Sequence, residues 1–191
     1  MGKNKTVKHK KTYSLNDYNS GDGMLTSVWG PSMWHSLHTI SFNYPVNPTN
    51  NDKHNYRDYV FSMKHVLPCG KCRNNLRENF KKLPLKMKHM ENRETFSKYV
   101  YDLHELINTM LGKKSGLSYD DIRERYEDFR ARCTISLKEL TPKRTTYKKK
   151  ENGCTEPLYG EKSKCILKII PNTDKEDTFQ IDEKCVKKVI Q

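Results

Sequence analysis

The chain has 191 residues, enough for one domain with an appendage or for two small ones, and an apolar fraction of 34%, low for that length. Lys and Arg outnumber Asp and Glu by 36 to 23, and the net charge of +13 suits nucleic acid or an anionic surface as a partner without defining an activity. No apolar run approaches the roughly 20 residues that a membrane-spanning helix needs. The opening Met1-Gly2-Lys3-Asn4-Lys5-Thr6-Val7-Lys8 has no apolar stretch of the secretory kind, so the expected location is the cytosolic side of a cell.

Residues 1–27 are rich in Lys, Asn and Gly without periodicity, and Gly21-Asp22-Gly23 interrupts any regular element; a basic flexible arm is expected. Met1-Gly2 with Thr6 fits the M-G-x-x-x-S/T pattern for N-myristoylation, with Lys8, Lys10 and Lys11 as a basic second signal. That pattern is short and common, and an unmodified basic arm is the favoured reading. From Trp29 the character changes. Pro31 fits the first turn of a helix that places Met33, Trp34, Leu37, His38 and Ser41 on one stripe and stops near Tyr44-Pro45. Tyr56, Tyr59, Val60, Met63 and Val66-Leu67 recur at helical spacing up to Pro68. A third helix then carries Cys72, Leu76 and Phe80 to the break at Pro84.

Asn92 is the expected N-cap of the strongest helix, with Phe96, Tyr99, Val100, Leu103, Leu106, Ile107, Met110 and Leu111 on one face and Gly112 as its stop. Ser118 with Asp121 starts a last helix striped by Ile122, Tyr126 and Phe129. The predicted fold is mainly α: a bundle of four to five helices over residues 28–133. A basic linker follows over 134–153, then a small cysteine-bearing unit over 154–191. In that unit Cys165-Ile166-Leu167-Lys168-Ile169-Ile170 and Thr178-Phe179-Gln180-Ile181-Asp182 read as the strands of a β-hairpin. Cross-links among Cys133, Cys154, Cys165 and Cys185 would matter to so small a unit, and the sequence does not choose among the three connectivities that four cysteines allow.

The chemistry lies in Pro68-Cys69-Gly70-Lys71-Cys72. A C-x-x-C at the start of a helix holds two sulfurs within bonding reach, and the unpaired N–H groups of the first turn favour thiolate over thiol. Lys71 and Arg73 act in the same direction. Disulfides on the cytosolic side are rare and usually catalytic. A dithiol that gives up two electrons needs an acceptor, and the helical surroundings argue against the strand-borne C-x-x-C of thioredoxin-like proteins. The options left are a bound redox cofactor or a metal.

Four motifs occur in one order: Trp29-Gly30-Pro31-Ser32-Met33-Trp34-His35-Ser36-Leu37-His38; Tyr44-Pro45 with Pro48; Cys69 and Cys72; and His104, Ile107, Asn108, Leu111 and Lys113. Together they closely resemble the Erv/ALR family of FAD-linked sulfhydryl oxidases, whose core reads G-x-x-x-W-x-x-x-H, Y-P-x-x-P, C-x-x-C and H-N-x-V-N-x-x-L-x-K. The likeness covers roughly residues 29–132, and four ordered motifs are far more specific than one. It implies an FAD-binding helical bundle that acts as a homodimer, oxidises protein dithiols and passes the electrons to oxygen. Cys72 would face the isoalloxazine and Cys69 would meet the incoming thiol. Gly30, Trp34, His38, Cys72, His104, Asn108, Leu111, Lys113 and Tyr126 would hold the cofactor, with no metal. Flat rings suit stacking, His and Asn supply hydrogen bonds, and Lys neutralises pyrophosphate.

The chain departs from the family pattern in places. Glu105 follows His104 where the family has Asn, and Leu117, Tyr119 and Tyr126 stand where Phe, Cys and Trp are usual, which removes one structural disulfide. No second, shuttle C-x-x-C follows Cys72. Taken singly, Trp34 would be core, His38 a satisfied core histidine and His65 a helix-end polar residue as readily as a site residue. The W-G-P-x-x-W string with a Lys- and Asn-rich composition resembles the viral branch of the family, which implies virion or cytoplasmic assembly-site proteins as substrates. The rival reading is a basic module that binds nucleic acid or membrane, with a structural or zinc-bound dithiol.

Overall fold

The computed structural model describes residues 14–131 and 154–186. The predicted myristoylation signal at Gly2, Cys133 and the linker over 134–153 lie outside them. Six α-helices occur among the described residues: α1 (Leu15–Asn19), α2 (Thr26–Phe42), α3 (Asn50–Val66), α4 (Gly70–Lys82), α5 (Arg93–Met110) and α6 (Tyr119–Glu127). Short 3₁₀ turns stand at Met87–Met90 and Glu183–Cys185.

The helix starts follow from local side-chain chemistry. At α3 the Thr49 hydroxyl accepts from Asp52 N while the Asp52 carboxylate accepts from Thr49 N, so two backbone donors of the first turn are satisfied at once. Ser118 and Asp121 do the same for α6, and Asn92 with Thr95 for α5, as the sequence predicts. The start of α2 differs from expectation. The helix begins at Thr26, so Pro31 sits one turn inside it. Proline lacks an N–H and forfeits one bond, to the carbonyl of Ser27, an exposed residue.

α2 packs chiefly on α5, and α3 on α4. Between them lies one core in which Leu37, Val60, Phe96, Val100 and Leu103 are at most 2% exposed. Each such side chain contributes about 1.5–3 kcal/mol by leaving water. Polar ends of core residues are tied to loop backbone: Tyr44 Oη donates to Met90 O at 2.9 Å and Tyr99 Oη to Leu83 O at 3.0 Å. Arg93 Nε and Arg130 Nη2 donate to Tyr44 O and Phe42 O, each at 2.6 Å. These bonds hold the turn after α2 against the start of α5 and the end of α6.

Two expectations need correction. The β-hairpin is absent: among the described residues there is no strand, only an isolated bridge between Ala131 and Pro157. Ile166, Leu167 and Ile169 are 65–75% exposed. A β-branched run forms a strand when a partner and a buried face are available, and here neither is. Lys168 of the first segment instead forms an ion pair with Glu176, in the connection ahead of the second. Residues 14–25, expected within the flexible arm, form the short helix α1 and a strap hydrogen-bonded to the C-x-x-C segment.

Candidate active site

Cys69 is the N-cap of α4 and its Sγ accepts from Cys72 N at 3.1 Å, so the amino end of the helix is turned on the sulfurs. Cys69 and Cys72 are joined in a disulfide. In a disulfide neither sulfur is the thiolate that the zinc of the rival reading would need. Cys69 is only 8% exposed, and Cys72 packs against the core.

The cover over Cys69 comes from the strap. Met24 N donates to Pro68 O at 2.7 Å, Gly70 N donates to Gly21 O at 2.9 Å, and Trp29 Nε1 donates to Met24 O at 3.0 Å. Gly23 has φ +77°, and a Cβ there would run into the Pro68 carbonyl and press on Cys69 Cα. Only glycine lets the two backbones approach so closely. At the end of the strap Thr26 Oγ1 lies 3.4 Å from Cys72 Sγ.

A cluster of rings from three helices forms the second part of the site. Trp34 and His38, one turn apart on α2, meet His104 of α5 and Tyr126 of α6. Trp34 stacks on His104 with centroids 3.9 Å apart and planes 8° from parallel. His38 Nε2 and His104 Nδ1 are 3.0 Å apart. Burial pushes His38 down to about 3, with His104 and His35 adding smaller effects, and burial pushes His104 down to about 4. Both rings are therefore neutral near pH 7, and the 3.0 Å contact is an N–H donating to a bare nitrogen. The more deeply buried His38 is the harder to charge, so a proton entering the pair resides on His104.

Two buried side-chain atoms among the described residues have no hydrogen-bond partner: His38 Nδ1 and Asn79 Oδ1. Whichever tautomer His38 adopts, one ring nitrogen is left with unmet capacity. Asn79 shares a face of α4 with Cys72, two turns further on, and its amide nitrogen rests 3.6 Å from Met110 Sδ.

Of the residues singled out in the sequence, Cys69 and Cys72 form the disulfide, and Trp34, His38, His104 and Tyr126 form the ring cluster. Gly30 is buried in α2, where a Cβ would meet only the Thr26 methyl at 3.6 Å. Asn108 follows His104 by one turn and donates to Glu105 Oε1 at 2.9 Å. Leu111 caps α5 and is 52% exposed, and Lys113 is exposed beyond it. His65 stands on the surface, where it lines a shallow depression with Arg57 and Phe61, away from the ring cluster. Sequence reasoning missed Thr26, Asn79 and His35, whose Nδ1 lies 3.2 Å from Tyr126 Oη. The signal for the strap was Gly21-Asp22-Gly23, read as a breaker although glycine pairs also mark close backbone approach.

A helical bundle that presents a C-x-x-C disulfide at a helix start, and gathers buried neutral imidazoles and a stacked indole from its other helices, has the parts of a thiol-exchange protein. The profile of the Erv1 / Alr family matches residues 31–127, and the chain belongs to that family. It is 37% identical over 121 residues to a protein of Acanthamoeba polyphaga mimivirus named as a probable FAD-linked sulfhydryl oxidase, spanning 63% of this chain and 77% of that protein. An FAD-linked sulfhydryl oxidase of African swine fever virus is 27% identical over 99 residues, 52% of this chain and 80% of that protein. The crystal structure of the FAD binding domain of Erv1 from Saccharomyces cerevisiae aligns at TM-score 0.50 and 23% identity, covering 55% of this chain and 96% of that one. That likeness supports the helical architecture.

Proposed function

We propose that this chain is an FAD-linked sulfhydryl oxidase that forms disulfide bonds in protein substrates. The observation that carries the reading is the Cys69–Cys72 disulfide at the start of α4, in a chain whose family and relatives are FAD-linked sulfhydryl oxidases. The donor set fits the cofactor. Trp34, His104 and Tyr126 offer flat faces, the His38–His104 pair offers neutral polar edges, and His38 Nδ1 and Asn79 Oδ1 are buried atoms still lacking a partner. Gly30, Trp34, His38, Cys72, His104, Asn108, Leu111, Lys113 and Tyr126 are the residues we assign to holding it, with Lys113 as the cation for its phosphates. The chemistry FAD supplies when bound is acceptance of an electron pair from a dithiol and its delivery to oxygen as hydrogen peroxide.

The steps of the chain's own residues begin with a substrate thiolate attacking Cys69 Sγ. The Cys69–Cys72 bond breaks, its electron pair leaves on Cys72 Sγ as a thiolate, and a mixed disulfide forms between substrate and Cys69. The second substrate thiolate attacks the substrate sulfur of that mixed disulfide. An oxidised substrate departs, and Cys69 and Cys72 remain as a reduced pair. The helix start stabilises both thiolates through its unpaired N–H groups, of which Cys72 N already points at Cys69 Sγ.

We assign the enzyme to protein substrates on the cytosolic side, at the assembly site or in the virion of a large DNA virus; its likeness to viral oxidases supports this. We also assign it a homodimer, for which the exposed apolar residues Tyr59 and Val66, seven apart on one face of α3, supply surface. The test is colour and turnover. Purified protein should release FAD on denaturation and consume oxygen with dithiothreitol. Cys72→Ala should keep the FAD and lose turnover by roughly three orders of magnitude or more, as loss of a reacting group does. Colourless protein, or normal turnover in Cys72→Ala, would overturn the reading.

A further inference from the structure

We propose that Thr26 takes part in the reaction, its hydroxyl donating to Cys72 Sγ and holding the thiolate that leaves when a substrate sulfur opens the Cys69–Cys72 bond. Thr26 Oγ1 is 3.4 Å from Cys72 Sγ. In the disulfide neither sulfur carries a proton, so the hydroxyl is the donor and the sulfur the acceptor. As the bond breaks, the electron pair collects on that sulfur. A contact that is weak to a neutral disulfide becomes a charge-assisted hydrogen bond to a thiolate, so the stabilisation grows along the reaction.

The position of this hydroxyl is built rather than incidental. Thr26 is the first residue of α2 and is linked to the dithiol segment through Met24 N to Pro68 O, Gly21 O to Gly70 N and the Trp29 indole on Met24 O. Cys72 thereby gains a support of its own, the Thr26 hydroxyl, in addition to the α4 start, whose Cys72 N points at Cys69 Sγ. Ionisable groups on α4, on the helices packed against it, on α2 and in the strap include Lys71 and Arg73 of α4, Lys64 and His65 of α3, His104 of α5, His35 and His38 of α2, and Asp22 of the strap. A neutral replacement of Thr26 leaves all of them in place, so the difference between variants reports the hydroxyl.

The catalytic consequence rests on the oxidase reading, but the test does not need turnover. In full-length Cys69→Ser protein the alkylation rate of Cys72 by iodoacetamide is followed against pH, read by mass spectrometry of the peptide containing Cys72. Thr26 is exposed and water competes for its hydroxyl, so Thr26→Val should raise the Cys72 pKa by about half a unit to one unit, while Thr26→Ser should keep it. Thr26→Ala serves in the same way if the valine variant does not fold. An unchanged titration in the valine or alanine variant, or a serine variant that shifts as far as either, would overturn the proposal. Yellow, active protein whose Cys72 titration ignores Thr26 removes this proposal alone. Colourless, inactive protein with a Thr26-dependent titration removes the oxidase reading and leaves the hydrogen bond standing.

Discussion

The helices from α2 to α6 and the segment over 154–186 both contain runs of large apolar residues, and the two regions place them differently. In α5 the apolar positions recur every three or four residues, so Phe96, Val100 and Leu103 share one face and all are buried. In the tail Ile166, Leu167 and Ile169 follow one another with no partner strand and remain exposed. Hydrophobic residues become a core when their periodicity matches an element that another element can cover; apolar composition alone does not suffice. What anchors the tail is different in kind: Leu158 N donates to Arg130 O at 2.6 Å, Cys154 is in a disulfide, and Phe179 lies among His35, Tyr126 and Phe129.

Truncation is the bluntest way to break that contrast. Leu103→Ala removes a side chain that is 1% exposed in the middle of the bundle and should cost about 2–5 kcal/mol. Ile169→Ala, at a residue 65% exposed, should stay within about 0.5 kcal/mol of the parent. Thermal or urea unfolding of the two variants measures both. Equal losses would mean that the tail belongs to the cooperative core.

A pH titration sharpens the comparison, because the bundle buries imidazoles and the described tail contains none. His38 and His104 have folded pKa values of about 3 and about 4, below the ordinary value near 6.5, owing first to burial. A depressed folded pKa means that the unfolded chain binds protons first as pH falls. The stability conferred by neutral imidazoles is present above about pH 6.5 and is lost as pH drops toward 4 and 3. Between pH 7 and 5 each buried ring should cost on the order of 2 kcal/mol, and His38→Phe should flatten the dependence. Calorimetry that finds the melting temperature unchanged across that interval would show that the rings are not buried neutral.

The helical half of the molecule was legible because its determinants are local. Asn92 and Ser118 fix their helices with contacts three residues away and cap where the sequence placed them; the stripe on α5 is buried at Phe96, Tyr99, Val100 and Leu103, while Met110 and Leu111 at its far end are exposed. The dithiol and the ring cluster were legible through motif order and through the pairing of Trp34 with His38, one turn apart on one helix face. Asn79 was not, because its partner Met110 comes from another helix and nothing in its own neighbourhood marks it as more than a helix polar residue. Thr26 failed for the same reason, its contact with Cys72 spanning 46 residues of sequence. The hairpin failed for the opposite one: the local pattern was read correctly as β-prone, but strand formation is decided by a pairing partner that the tail does not supply.

The most local effect falls on the contact that ties the two regions together. Phe179 is half-buried, its ring stacked on Tyr126 at 6.2 Å with planes 9° apart, 5.0 Å from His35 and edge-on to Phe129 at 6.1 Å. An aromatic contact of this kind is worth about 0.5–1.5 kcal/mol beyond the area it covers. Phe179→Ala should therefore weaken the docking of the tail by about 1 kcal/mol, raising amide exchange and proteolytic nicking over 154–186 by several-fold, because local opening of the tail samples only its own weak anchors. The bundle's exchange should not move. If the substitution instead speeds exchange in α2 and α6, the tail ring would be a structural part of the wall formed by His35 and Tyr126, and the boundary drawn between core and tail would have to shift to include it.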